Sequence, residues 1–258
     1  MRLLCLVLLA LPLATQTSAT AAQNSQPPTI QTNDGGANGV MQSIFVPPVS
    51  AAPFTLTLST EWSRPLGNGG TVTLANQRHI ARDSHGRVYQ ERWILVPKGG
   101  PIKSSLNLVQ IMDPDKHTLY NCFTANKTCE LVSYNLLSTS NYEPHIGASG
   151  ALPNNFGSRQ VENLGVADTA GVSTTGTRTT LTVNPGQLGN DRPMVTTREF
   201  WYSPQLHLNL LSEVDDPQNG HQVFRASEIT TSEPDPRLFD LPSGYRIVDL
   251  RKIAPPSN

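Results

Sequence analysis

What most constrains this chain is the spacing of its corners: short alternating runs are cut, again and again, by Asp, Pro, Asn and Gly. The stretch from Arg192 to Ile229 shows the plan. A strand ends at Ser203-Pro204-Gln205. In the next, Leu206, Leu208, Leu210 and Val214 alternate with His207, Asn209, Glu213 and Asp215, the period of a sheet with one buried and one wet face. Leu211 is the lone apolar residue on the wet side. The corner Asp216-Pro-Gln-Asn-Gly220 puts Asp first, Pro where φ must lie near −65°, and Asn-Gly where φ can turn positive, which are instructions for a hairpin.

The same grammar runs upstream. Phe54, Leu56, Leu58 and Trp62 alternate with Thr55, Thr57, Ser59 and Glu61, and Pro65-Leu-Gly-Asn-Gly-Gly70 turns the chain into a strand over Thr71 to Arg82. After Asp83-Ser-His-Gly86, the run Arg87 to Val96 is apolar on both sides, which predicts cover on both faces. Ser105 to Met112 follows, then a type I turn at Asp113-Pro-Asp-Lys116 and a hairpin over His117 to Tyr134. Residues 135–158 break the pattern. Strands resume at Arg159 to Val166 and Gly176 to Val183, a helical turn is expected around Asp235 to Phe239, and a last strand over Tyr245 to Leu250.

Eleven or twelve strands result, joined almost everywhere by links too short for a parallel crossover. The expected fold is all-β: one large, curled, antiparallel meander, half-barrel-like, with few short helices. So many strands cannot stay flat. Phe54, Leu56, Leu58, Trp62, Trp93, Trp201, Leu206, Leu208 and Leu210 are the candidates for the oily side, each burial contributing about 1.5–3 kcal/mol. Whether they fill the interior or line a trough for a ligand is open at this level, and Leu56, Leu58, Trp62, Trp93, Trp201, Leu208 and Leu210 are the candidate ligand-binding residues.

Met1-Arg2, an apolar run from Leu3 to Ala14 and Ala19-Thr-Ala-Ala22 read as a cleaved secretory signal, because a bilayer span needs about 20 apolar residues and this run is shorter. The expected organisation is a signal peptide over 1–22, a flexible leader over 23–51, a β domain over 52–251 and a tail over 252–258. Loss of Arg2 takes the formal charge from −1 to −2, so nothing attracts nucleic acid or an anionic lipid surface. The mature part keeps Cys122 and Cys129. In an oxidising compartment the simplest reading is a disulfide across a hairpin; a metal site lacks a nearby His pair, and a redox pair would need the two-residue thioredoxin-type spacing.

Several motifs together carry a resemblance: Ile80-Ala-Arg-Asp-Ser-His-Gly-Arg-Val-Tyr-Gln-Glu-Arg92, Ile111-Met-Asp-Pro-Asp115, Asn190-Asp-Arg-Pro193, Arg198-Glu-Phe-Trp-Tyr-Ser-Pro204 and Asp235-Pro-Arg-Leu-Phe-Asp-Leu-Pro-Ser-Gly-Tyr-Arg-Ile-Val-Asp249. Together they resemble a group of uncharacterised secreted bacterial proteins. The tail pattern Leu-Phe-x-x-Pro-x-Gly-Tyr is more distantly similar to periplasmic lipoprotein-carrier-like proteins of the LolA/LppX type. That resemblance implies a half-barrel of antiparallel strands around an apolar cavity. This sequence departs from the carriers in having no helix long enough to plug such a cavity.

The histidines, His79, His85, His117, His145, His207 and His221, include no pair at i, i+2 or i, i+4, and Asp113, Asp115, Asp215 and Asp216 sit where Asp caps turns. No G-x-S-x-G elbow is present. The expected function is therefore non-enzymatic, without cofactor or metal: an exported, secreted or periplasmic protein binding an apolar or lipid-like ligand, or a partner protein, on the concave face. The alternative is a cell-surface or structural interaction module with a filled core; a hydrolase built from dispersed residues stands third.

Overall fold

The corners predicted from Asp and Gly close hairpins in the computed structural model, which describes residues 44–134 and 146–253. The segment expected to be a signal peptide, the expected leader before residue 44, residues 135–145 of the long break with His145, and the tail from 254 lie outside the described residues. The strands are β1 (Phe54–Pro65), β2 (Thr71–Arg82), β3 (Val88–Trp93), β4 (Val96–Pro97), β5 (Leu106–Asp113), β6 (Thr118–Phe123) and β7 (Thr128–Ser133). They continue as β8 (Gly150–Ala151), β9 (Gly157–Thr169), β10 (Val172–Val183), β11 (Met194–Ser203), β12 (Leu208–Asp216), β13 (Gly220–Thr230) and β14 (Arg246–Asp249). Among the described residues three short 3-10 turns accompany them, including Pro236–Phe239.

The corners work by the chemistry their residues imply. Asp83 Oδ1 accepts from the backbone N–H of His85 and Arg87, and Asp216 Oδ1 accepts from those of Gln218 and Asn219. Gly220 closes its hairpin at φ +81°, where a Cβ would stand 2.2 Å from Ser63 O, so glycine is required on two counts.

All fourteen strands join one open sheet, a curled half-barrel, in the order β14-β7-β6-β5-β3-β2-β1-β13-β12-β11-β10-β9-β8, with β4 beside β2. The expected all-β, half-barrel-like class holds, with three corrections. The count exceeds eleven or twelve because β4 and β8, of two residues each, are too short to show a period. The sheet is not a single meander: the chain steps outward from β1 to β7, restarts at the opposite edge, and steps back until β13 pairs with β1. And β14, reached after the chain leaves β13, lies parallel to β7.

Two apolar clusters sit on opposite faces. Neighbours in a strand point to opposite sides, and Ile80 and Met112 belong to the larger cluster while Ala81 and Ile111 belong to the smaller. The larger holds Phe54, Leu56, Leu58, Leu206, Leu208, Leu210 and Phe224. The smaller combines Val109, Cys122, Cys129 and Phe239, with Leu238, Leu241 and Tyr245 against it, so the segment after β13 covers the second face there. Cover on both faces of β3, predicted from its two-sided apolar run, is met by Val88 in one cluster and Tyr89 on the other. The disulfide Cys122–Cys129 joins directly opposed residues of β6 and β7.

The leader also needs correction at its end. Ile44 and Val46, assigned to a loose segment, are 1% and 2% exposed within the larger cluster. Arg82 is what holds their segment down. Fully buried, its guanidinium donates to Pro47 O at 2.8 Å, to Ala52 O at 2.9 and 2.8 Å and to Leu206 O at 2.7 Å, with its Cζ 4.9 Å from the Phe54 ring centre. Burial lowers its pKa to about 10.

Candidate functional site

Four of the residues expected to line a ligand trough pack into the core. Leu56, Leu58, Leu208 and Leu210 are at most 2% exposed and lie in one cluster with Ile44, Val46 and Phe224. The three tryptophans are only partly buried, Trp62 packing against that same cluster. Trp62 donates its indole N–H to Asn219 O at 2.6 Å, under the Arg64 guanidinium. Trp201 donates to Glu199 Oε1 at 2.7 Å, and its ring lies so close to Gly176 that a Cβ there would stand 2.8 Å from it. That indole bond first, and Arg178 after it, hold the Glu199 carboxyl below its ordinary pKa. Trp93 lines a groove.

The groove exists because the sheet splits. β2 pairs with β3 only over Ile80–Arg82, and its next ladder contacts on that side are Leu74 and Ala75 with β4. Across the gap, side chains replace ladder bonds. Asn76 Nδ2 donates to Trp93 O at 2.6 Å, and the backbone N–H of His79 donates to Glu91 Oε2 at 3.2 Å. Glu91 also accepts from Tyr89 Oη at 3.0 Å and from Trp93 Nε1 at 2.7 Å, so three alternate residues of β3 lock one another on one face. Burial, then the neighbouring Glu91 carboxylate, push the Tyr89 phenol above its ordinary pKa.

The resulting space is a groove of about 570 Å³ lined by Ser59, Glu61, Gln77, Trp93 and Lys98, joined to a second of about 370 Å³ that reaches Tyr89, Glu91 and Leu238. Thr57, His79 and Glu228 line both. Glu228 reaches this position through a β-bulge: the β1–β13 register shifts between Thr55 and Thr57, and Glu228 takes φ +51°, a conformation a non-glycine residue adopts only under local constraint. Thr57 Oγ1 donates to Glu228 Oε2 at 2.7 Å and lies 3.2 Å from His79 Nδ1. A carboxylate only accepts, so the Thr57 hydrogen is committed to it. The imidazole must then donate from Nδ1, and the neutral ring presents a lone pair at Nε2. Lys98 Nζ sits 2.6 Å from Glu61 Oε1 at the groove wall.

Sequence reading found Trp93 but neither Glu228 nor the split. A positive φ at Glu leaves no trace in composition, whereas the break in alternation at Ile94–Leu95, just before β4, was the one available signal. Of the other histidines, His221 lies 3.6 Å from Glu213 and His85 3.9 Å from Asp83, while His117 and His207 take positive φ. Asp113 caps its turn through the Lys116 N–H and binds Lys116 Nζ. Among the described residues no three His, Cys, Asp or Glu side chains converge as a metal site, and no helix is long and apolar enough to cross a membrane.

Comparison with known proteins gives structural neighbours only. No protein-family model matches the chain, and no curated protein does. Among solved structures it is similar to an uncharacterized conserved protein from Thermus thermophilus, with 9% identity and a TM-score of 0.38 over 77% of this chain and 91% of that one. It is similar to MucB in the Pseudomonas aeruginosa MucA/MucB complex, with 13% identity and a TM-score of 0.36 over 77% of this chain and 58% of that one. A third is the LolA superfamily protein NE2245 from Nitrosomonas europaea, with 9% identity and a TM-score of 0.29 over 73% and 90% of the two chains. The likeness is one of fold alone.

Proposed function

We propose that this chain is an exported, non-enzymatic binding protein, and that its ligand seat is the groove at the β2–β3 split rather than the leucine-rich face. The observation that carries the reading is the split itself. A sheet that gives up ladder bonds between β2 and β3, patches them with Asn76 and Glu91, and bulges β13 to bring Glu228 alongside has spent stability on a concave surface. The leucines of the opposite face already satisfy one another. The lining is mostly polar, with Trp93, Tyr89 and Leu238 as its apolar wall, which suits a small polar ligand better than a lipid tail. Export rests on the signal-like N-terminus and on the disulfide, which persists in an oxidising compartment.

A fragment screen followed by NMR on the mature chain tests the location. Hits are expected to move the Trp93 indole and Tyr89 resonances and to be lost in Trp93→Ala. A fluorescent fatty-acid probe that binds saturably and equally well to Trp93→Ala would refute this seat and return ligand binding to the leucine-rich face.

A further inference from the structure

Several acceptors of the groove are free. Glu228 uses Oε2 for Thr57, and among the described residues nothing donates to its Oε1. Glu61 uses Oε1 for Lys98, leaving Oε2. His79 presents an acceptor at Nε2 by the argument above. Asn76 Oδ1 is buried at the groove without a partner, and its amide cannot flip, because Nδ2 is committed to Trp93 O. Part of the donor supply on the lining is used internally: Ser104 Oγ donates to Ile94 O, Trp93 Nε1 to Glu91 and one Gln77 Nε2 hydrogen to Ser59 Oγ. Of the two carboxylates in the larger groove, Glu61 is matched by Lys98, and among the described residues no cation meets Glu228.

From this unmatched carboxylate beside an aromatic wall we infer that the groove binds an organic cation, an ammonium or guanidinium group, whose N–H groups bond Glu228 and whose stem lies against Trp93. A carboxylate or phosphate would bring like charge to Glu228. A polyol would leave the Glu228 charge unmatched. A cation supplies only donors, and an aromatic wall adds attraction for a positive charge lying over its face. Lys98 already shows how an ammonium is held here, by folding onto Glu61 from within the chain. The inference rests on the groove being the ligand seat, and its test separates the two.

Benzylamine and agmatine serve as probes of the two cationic groups, benzyl alcohol as the uncharged isostere, and an acetylated, amidated Gly-Arg-Gly tripeptide as a peptide-borne guanidinium, each followed at the Trp93 indole of the full mature chain. Both amines are expected to bind saturably and the alcohol at least tenfold more weakly. Glu228→Gln keeps an acceptor for Thr57 and removes the charge; it is expected to weaken the amines at least tenfold. Lys98→Met vacates Glu61 and is expected to tighten them, a gain that damage to the fold would not produce. The tripeptide binding more tightly than agmatine identifies a basic peptide side chain as the source of the cation; the reverse identifies a free amine. Benzyl alcohol binding as well as benzylamine, or amine affinity unchanged in Glu228→Gln, overturns the cation while leaving the seat in place. No response at Trp93 to any probe overturns both.

Discussion

Replacing Arg82 with methionine should detach the segment before β1 from the sheet. Methionine keeps the unbranched stem and removes four N–H···O bonds to three carbonyls, those of Pro47, Ala52 and Leu206. Each buried carbonyl left without a donor costs about 1–3 kcal/mol. Against this, the variant no longer has to desolvate a guanidinium whose pKa burial has lowered to about 10. Pro47 O keeps the Val49 N–H, so Ala52 O and Leu206 O carry the loss, together about 2–6 kcal/mol before that relief, a large share of the roughly 5–15 kcal/mol that holds a domain together. With a urea m-value of about 2–3 kcal/mol/M for a domain of this size, the midpoint should fall by about 1–2 M. Hydrogen exchange provides the local readout: the Ala51 N–H, which donates to Ser84 O at 2.8 Å, should exchange faster even where the domain stays folded. A loss below about 1 kcal/mol with unchanged protection at Ala51 would show that Ile44 and Val46 hold the segment by apolar contact alone. Arg82→Lys, which keeps the charge but not the fork, should fall between the two.

Three further outcomes follow from features already described. Changing both Cys122 and Cys129 to serine opens a ring of about eight residues and should cost about 2–3 kcal/mol by chain entropy, read as a lower urea midpoint that reductant reproduces in the parent; a smaller loss would mean the β6–β7 corner is already restrained when unfolded. Gly220→Ala should destabilise by more than the ~1 kcal/mol of an ordinary turn glycine, because its Cβ would meet Ser63 O; a thermal midpoint equal to the parent's would refute that contact. Asp235 accepts from Arg237 through side chain and backbone, the side-chain bond being the larger cause, and its pKa is lowered to about 2. For a depressed carboxylate the stabilisation is fully present above the unfolded value of about 3.9 and is lost as pH falls through about 2, so the Asp235 carboxyl carbon should titrate near pH 2 by NMR, and a midpoint near 4 would deny the pairing.

The hairpins were readable because their information is local. Asp216-Pro-Gln-Asn-Gly220 and Asp83-Ser-His-Gly86 carry their geometry in four or five residues, and the alternation over β1 and β2 needs nothing from elsewhere. What could not be read depends on partners far along the chain. Nothing near Phe54 announces that β1 will lie between β2 and β13, and nothing near Arg246 requires β14 to run parallel to β7. Ile44 and Val46 looked loose because a brief apolar run in a polar leader shows no period; their burial depends on Arg82, an arginine on the core side of a strand that pattern reading counts as polar. The candidate site was half visible. Trp93 stands out in composition, but the leucines grouped with it face the other way, and the bulge that presents Glu228 arises only when β1 meets β13.

The β1–β13 seam also governs when the fold can exist. Thr55 meets Thr230 across it, 175 residues later, so the loop closing that pair is among the most costly in the molecule to form. Until residue 230 arrives, the strands up to β7 can assemble only as a sheet with the flank of β1 bare, a surface open to adding a strand from a stranger. A polypeptide laid out this way is best kept extended until it is whole, and renaturation should be slow, limited by that single closure rather than by any hairpin.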